Sequence, residues 1–273
     1  MNKQTELDKA IEAMQDELQK HIAQNGRKAE RIYKKLSGEL SQVIASHANK
    51  EGRIDRRRLN TLIKEFDNAL KNARTDLFNE ITEIIKDTAG YSLTESDRLF
   101  LREVGQNLIA SELHNKVIDA VVKAQIEEEA DDRLLLSDRV WILTNDVHAE
   151  LTKTVTASVL KNESISAMIA AVAAVHANEE WKIRRMVITE ANTAHRTATG
   201  LAAKNSKVVD AIKLNDSHRP HKNHASHRCY ELARADDYGL GQGVYPKDKY
   251  GLIAMPHPQC SAYISYVLND KYL

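Results

Sequence analysis

The sequence contains few of the residues that interrupt helices and few aromatic side chains. Its 273 residues include 10 Gly, 4 Pro and only 5% aromatic residues. Glycine and proline break helices, and aromatic residues are enriched in strands, so this composition favours long helices over a sheet sandwich. Hydrophobic residues at 42% and charged residues at 29% are typical of a folded chain, which excludes a disordered one.

An excess of one charge sign and long hydrophobic runs are also missing. Lys and Arg number 39, Asp and Glu also 39, and the formal net charge is zero. Coating of nucleic acid by bulk charge is therefore not expected, because it requires an excess of cations. The most apolar stretch, residues 165–175, is too short to span a bilayer, and the N-terminal residues lack the apolar core of a secretory signal. We expect no membrane association.

Apolar residues recur at helical spacing through the first 205 residues. Leu7, Ile11, Met14 and Leu18 form the first stripe, with Gly26 as a candidate interruption. Further patterns predict five more helices: one from Leu59 to near Gly90, one capped by Thr94 with Asp97 in the capping box, one around 140–159, one capped by Ser164, and one over 178–204. The acidic run 127–132 is a predicted solvated break.

The texture of the chain changes near Ser206. Residues 208–214 and 261–268 are rich in β-branched or alternating apolar residues and are predicted strands, and the Gly- and Pro-rich segment 236–259 is predicted to be mostly loop. The sequence thus predicts a mainly α fold, with a long helical N-terminal body and a small α+β C-terminal domain. We divide it into a helical body at 1–164, connecting helices at 165–205 and the small domain at 206–273.

The N-terminal stripes are open to two interpretations. An antiparallel bundle would bury them within the chain, whereas a helical arm would bury them against another subunit and make an oligomer. The low aromatic content and the long stripes favour a body whose burial is completed by a partner.

Histidines and both cysteines concentrate at the C-terminal end. Five of the 11 histidines and both cysteines lie between residues 218 and 260. Imidazole and thiolate are the preferred ligands of zinc, so the candidate metal ligands are His221, His224, His227, Cys229, His257 and Cys260. Two alternatives stay open: a metal-free hydrogen-bond network with buried thiols, and a disulfide between the two cysteines.

Signatures of the common catalytic sites are missing from the sequence. It contains no GxSxG, no GxxxxGK[ST] and no HExxH, and neither cysteine has the flanking residues of a known cysteine hydrolase. We therefore expect no enzymatic activity.

Three motifs in the C-terminal third appear in a characteristic order. They are RRMVITEANTAHRTATG at 184–200, NDSHRPHKNH at 215–224, and Pro-His-Pro-x-Cys at 256–260. With this order and spacing, residues 165–273 resemble the Mu F-like family of minor head proteins of tailed bacteriophages. Many members carry Cys-x-x-Cys where this chain has His227-Arg228-Cys229, so a family-type zinc site here needs histidines in place of thiolates.

The resemblance implies a virion protein of the phage head, made in the bacterial cytoplasm and associated with the portal protein and neighbouring head proteins. Its role would be head assembly or the passage of DNA. It also implies structural roles for Arg185, Glu190, Asp216 and Arg219. Glu190 would accept hydrogen bonds from the C-terminal domain or from Arg219, the alternative being a solvated carboxylate.

The alternative function is an internal DNA-binding or ejected virion protein. Two clusters of basic residues motivate it, at 53–58 and 204–228. Solvated helix faces and loop ends are the simpler explanation of such clusters in a chain of zero net charge.

Overall fold

The computed structural model describes residues 2–127, 134–216 and 224–273, with His224 described by its backbone alone. The chain is 74% helical and carries a small three-stranded antiparallel sheet near its C-terminus. The predicted mainly α fold with a small α+β C-terminal part is therefore confirmed.

The helices of the described residues are α1 Lys3–Ser46, α2 Leu59–Glu103, α3 His114–Ile126, α4 Leu136–Leu160, α5 Ile165–Asn205, α6 Arg228–Leu232 and α7 Gly251–Ala254. The strands are β1 Val209–Asn215, β2 Val244–Pro246 and β3 Tyr263–Leu268. The predicted strands at 208–214 and 261–268 correspond to β1 and β3.

The predicted breaks at Gly26 and Gly90 are wrong, because α1 and α2 each run through their glycine without interruption. A glycine inside a helix costs only about 1 kcal/mol relative to alanine. The apolar stripe continues on both sides of each glycine, and its burial outweighs that cost. The stripe of α1 is buried within its own chain, as the bundle interpretation predicts.

The helix predicted to begin at Thr94 does not exist as a separate element. Thr94 lies inside α2, where its hydroxyl donates to Gly90 O at 2.9 Å. Helix α2 ends instead before Gly105, whose φ of +78° is a left-handed conformation that glycine adopts readily. Asp97 accepts from Leu108 N at 2.9 Å and lies 2.5 Å from His114 Nε2, so it organises the connection to α3 rather than a helix start.

The two helices predicted after Ser164 form one continuous helix, α5. Its residues between 165 and 199 include no glycine or proline, so nothing local stops it. The predicted cap is correct, since Ser164 Oγ accepts from Ala167 N at 3.2 Å. Most of the acidic run at 127–132 lies outside the described residues.

The chain divides into two compact units that are discontinuous in sequence. The sheet unit comprises residues 1–25, 82–128 and 185–273, and the helical unit comprises 26–81 and 129–184. These units differ from the predicted segments 1–164, 165–205 and 206–273, because each of the long helices α1, α2 and α5 contributes to both units.

The sheet has the order β2-β1-β3, and both pairings are antiparallel. Strand β2 lies in the segment that was predicted to be loop. The sequence did not indicate this strand, because three residues ending in Pro246 show no strand periodicity. The outer edge of β3 is closed by a side chain: Gln4 Nε2 donates to Tyr266 O at 2.7 Å, and Leu268 N donates to Gln4 Oε1 at 2.8 Å. One amide thus satisfies the edge groups that another strand would otherwise bond.

Candidate functional site

The centre of the sheet unit is a helix segment buried on every side. All residues of α5 from 190 to 200 are buried, although the segment reads EANTAHRTATG and carries no large apolar residue. Small side chains let neighbouring elements approach this segment closely. A methyl group on Gly200, for example, would lie 2.4 Å from Cβ of Tyr250.

Arg196 joins this segment to the C-terminal residues. It is 1% exposed, and its Nε donates to Ala254 O at 2.6 Å, while its Nη1 donates to Cys260 O at 3.0 Å and to Ala262 O at 2.8 Å. A buried arginine must be hydrogen-bonded to offset its desolvation, and three carbonyls supply such bonds here. The guanidinium therefore fixes α7, the 257–260 turn and the start of β3 relative to α5.

His195 lies beside Arg196 and is also fully buried. Ser92 Oγ donates to Thr88 O at 2.7 Å and lies 2.8 Å from His195 Nδ1, so that ring nitrogen carries the proton. Burial, together with the charge of Arg196, lowers the pKa of His195 to about 3. His195 is consequently neutral at physiological pH.

A second bond holds the turn that carries the two C-terminal candidate ligands. Gln259, with a φ of +57°, donates its backbone N–H to Thr189 Oγ1 at 3.0 Å, and Cys260 N donates to His257 O at 3.3 Å. The turn is thus tied to α5 through Thr189 as well as through Arg196. Its position is fixed by contacts that involve neither the imidazole of His257 nor the thiol of Cys260.

Three of the predicted metal ligands meet in one cluster. The ligand atoms of His227, Cys229 and His257 all lie within 4.8 Å of one another, so this group could hold a metal ion. His257 Nε2 is 3.1 Å from Cys229 Sγ, and the two imidazole rings are edge to face with centroids 4.6 Å apart. Cys229 is positioned by the first turn of α6, whose N-cap residue is His227.

The fourth predicted ligand, Cys260, is buried close to this cluster. Both cysteines are free thiols, so the structure contains no disulfide between them. Burial, the nearby Cys260 and a hydrogen bond with the thiol of Cys260 raise the pKa of Cys229 to about 12. A thiol with a raised pKa is a poor nucleophile, which does not favour cysteine catalysis.

The donor set fits zinc, because two imidazoles and two thiols make up a common structural site. The Nδ1–H of His257 donates to Pro258 O at 2.9 Å, which leaves its Nε2 lone pair facing Cys229. Histidine ligands usually have such a bond on the second ring nitrogen. A bound zinc ion would supply the positive charge that two buried thiolates need.

The remaining predicted residues are distributed as follows. His221 and Arg219 lie outside the described residues, and so does the side chain of His224. Asp216 accepts from Arg234 Nη1 at 2.5 Å, and the Arg234 guanidinium stacks on Tyr230 at 3.4 Å from the ring centroid.

Glu190 is 2% exposed, whereas Arg185 is exposed on the same helix. With its amide nitrogen oriented towards Glu190, Gln125 of α3 donates to Glu190 Oε2 at 3.3 Å. The solvated alternative for Glu190 does not describe this buried side chain. The predicted partner, Arg219, lies outside the described residues.

Sequence reasoning missed Arg196 and His195. A signal was present, since alanines at 191, 194, 198 and 202 repeat at helical spacing between polar residues. Such small-residue spacing accompanies close packing on more than one side. It could have indicated that the charged residue between them is buried.

No family model, no curated protein and no solved structure matches the chain. Within the described ranges, no helix is both long enough and apolar enough to cross a membrane.

Proposed function

We propose that this protein is a minor head protein of a tailed bacteriophage. It acts at the portal vertex in head assembly or DNA passage, with the portal protein and neighbouring head proteins as its partners. Its role is structural, with no catalytic step, and it resides in the virion after synthesis in the bacterial cytoplasm.

One observation carries the proposal: residues from the first and third motifs of the phage-protein resemblance are joined directly. Thr189 of the first motif accepts from Gln259 of the third, 70 positions later in the chain. Arg196, in the same first motif, donates to Cys260 O. The first and third motifs, which were matched by their residues, order and spacing, therefore contact each other directly, as parts of a common domain should.

Two exposed tryptophans on the helical unit support the proposal that it binds a protein partner. Trp141 on α4 and Trp181 on α5 are 48% and 54% exposed. Tryptophan is enriched at the centres of protein interfaces, where burial of its ring contributes strongly to binding. We assign the portal-binding role to this helical unit.

Cross-linking mass spectrometry of purified phage particles tests the proposal. Cross-links from exposed lysines of this chain should reach the portal protein. Substituting Trp141 or Trp181 by Ala should lower the amount of this chain in the particles, whereas Tyr238→Ala, a comparably exposed aromatic in the sheet unit, serves as the control. Cross-links confined to tail proteins, or absence of the chain from particles, would contradict the assignment.

We further propose that the metal of the His/Cys cluster is zinc, held by His227, Cys229, His257 and Cys260. Four protein ligands leave no open position for a substrate, so the ion is structural. It joins the start of α6 to the 257–260 turn, which lie about thirty residues apart in the chain, and so limits the freedom of a loop-rich segment.

Elemental analysis of untagged protein tests this assignment. About one equivalent of zinc is expected, and chelation should lower the melting temperature. His257→Ala should lose the metal, whereas His148→Ala, which removes a histidine paired with Asp67 at 2.6 Å in the helical unit, should keep it. Protein that is zinc-free as purified and insensitive to chelators would leave a metal-free hydrogen-bond network.

A further inference from the structure

One end of the helical unit is built from the loop at 47–58 and the turn at 160–164. The two segments are tied together: Ile165 N donates to Gly52 O at 2.9 Å, and Arg56 Nη2 donates to Leu160 O at 3.3 Å. Arg58 Nη1 also donates to His47 O at 3.4 Å. The end of the unit is therefore an ordered surface, and we call it the basic end.

The basic end concentrates positive charge in a chain whose total is zero. It carries six cationic side chains and three carboxylates, a local net charge of +3. The cations are Lys50, Arg53, Arg56, Arg57, Arg58 and Lys161, and all are exposed. The carboxylates are those of Glu51, Asp55 and Glu163, of which Asp55 accepts from Asn49 Nδ2 at 3.1 Å.

Two of the arginines and the other four cations have different roles. Arg56 and Arg58 bond backbone carbonyls and hold the surface together. By contrast, Lys50, Arg53, Arg57 and Lys161 form no ion pair with any carboxylate among the described residues, although many other lysines of the chain do. These four side chains are available to an external anion.

We propose that the basic end binds the phosphate backbone of double-stranded DNA without sequence preference. Exposed Arg and Lys side chains on an ordered loop are the groups that contact DNA phosphates. A protein partner fits less well, because protein interfaces are depleted in lysine and depend on a core of apolar anchors. Among the described residues of the basic end, Leu160 is the single large apolar side chain that is exposed, so such a core is missing there. The proposal rests on these charges alone and does not depend on the assignment to a phage head.

Fluorescence anisotropy with a short labelled duplex of arbitrary sequence tests this proposal on the full-length chain. The test variant carries Lys50→Gln, Arg53→Gln, Arg57→Gln and Lys161→Gln, and leaves Arg56 and Arg58 in place to preserve the surface. The control variant makes the same change in total charge with Lys20→Gln, Lys35→Gln, Lys86→Gln and Lys153→Gln. Each of these control lysines is paired with a glutamate three or four positions away.

Wild-type protein should bind the duplex at ~50 mM salt and lose affinity steeply as salt rises. The test variant should bind at least roughly tenfold more weakly. Its slope of log affinity against log salt should fall by about 3 to 4, since each phosphate that is no longer neutralised removes about 0.9 from the slope. The control variant should keep affinity and slope close to wild type. A second duplex of unrelated sequence should bind equally well.

Three results would overturn the proposal: no binding by wild type at low salt, an equal loss in both variants, or polyglutamate competing as well as DNA at equal charge concentration. The last result would assign the basic end to an acidic protein surface instead. Far-UV circular dichroism establishes that each variant is folded. Should the quadruple variant be unfolded, the double variant Lys50→Gln, Arg57→Gln gives the same test with about half the change in slope.

Discussion

Two glycines inside helices should respond in opposite directions to the same substitution. On helix propensity alone, Gly→Ala in a helix interior stabilises a protein by about 1 kcal/mol. Gly38 in α1 has nothing within 4 Å of the position that a Cβ would take, so Gly38→Ala should show this gain in full. At Gly200 the added methyl would lie 2.4 Å from Cβ of Tyr250 and 2.6 Å from its Cγ.

The magnitude at Gly200 follows from these distances. Carbon atoms in contact normally lie about 3.5–4.0 Å apart, so α5 or the Tyr250 backbone would have to move by roughly 1 Å. Overpacking of this kind typically costs about 1–3 kcal/mol. Because the contact is with Cβ and not with the flexible tip of a side chain, the cost belongs near the upper end. After the propensity gain, a net loss of about 2 kcal/mol remains.

Urea denaturation followed by far-UV circular dichroism measures both variants against wild type. We expect the free energy of unfolding to rise for Gly38→Ala and to fall for Gly200→Ala, a separation of about 3 kcal/mol between the two. If Gly200→Ala were as stable as wild type or more so, the close approach of α5 to Tyr250 would be refuted.

Three further substitutions test the buried centre and the sheet edge. Arg196→Met should lower the free energy of unfolding by about 3 kcal/mol, because it leaves three buried carbonyls without their donor. The control is Arg185→Met on the exposed side of the same helix, which should change the free energy of unfolding by less than about 0.5 kcal/mol in the same denaturation assay. Because the pKa of His195 is lowered to about 3 in the folded state, the unfolded chain binds the extra proton below its ordinary pKa of 6.5. Stability should therefore fall as pH drops from 6.5 towards 3, by up to about 1.4 kcal/mol per pH unit, and His195→Gln should flatten this part of the pH profile; equal slopes would count against the burial of a neutral imidazole. Gln4→Ala should lower stability by about 1–2 kcal/mol and raise aggregation measured by light scattering, since it exposes the edge of β3, and an unchanged variant would show that the edge does not need its amide.

The helical fold could be predicted because periodic burial is a local signal. The stripe that includes Leu7 and Leu18 is repeated along α1 and needs no knowledge of its partners. The breaks at Gly26 and Gly90 were predicted wrongly. A glycine in the sequence indicates only its unfavourable helix propensity, whereas the burial that compensates for it depends on distant segments of the chain. Strand β2 was not predicted for the same reason, because it forms only by pairing with β1.

The residue types of the candidate site could be predicted from the sequence, but the contacts that hold them in position could not. His257 and Cys260 could be recognised from ligand chemistry and from their short spacing. The spacing of the alanines could have indicated that Arg196 is buried, but its bonding partners could not be identified, because its three acceptors are backbone carbonyls 58 to 66 positions away and leave no mark in the side-chain sequence.

The closure of β3 by Gln4 has a consequence for the order of folding during synthesis. The sheet unit needs residues 1–25, which leave the ribosome before the helical unit does, and residues up to 268, which leave it some 260 positions after Gln4. The helical unit is complete once residue 184 has emerged. Nascent chains should therefore acquire the helical unit first, and the first turns of α1 must stay without their final partners until translation has passed β3.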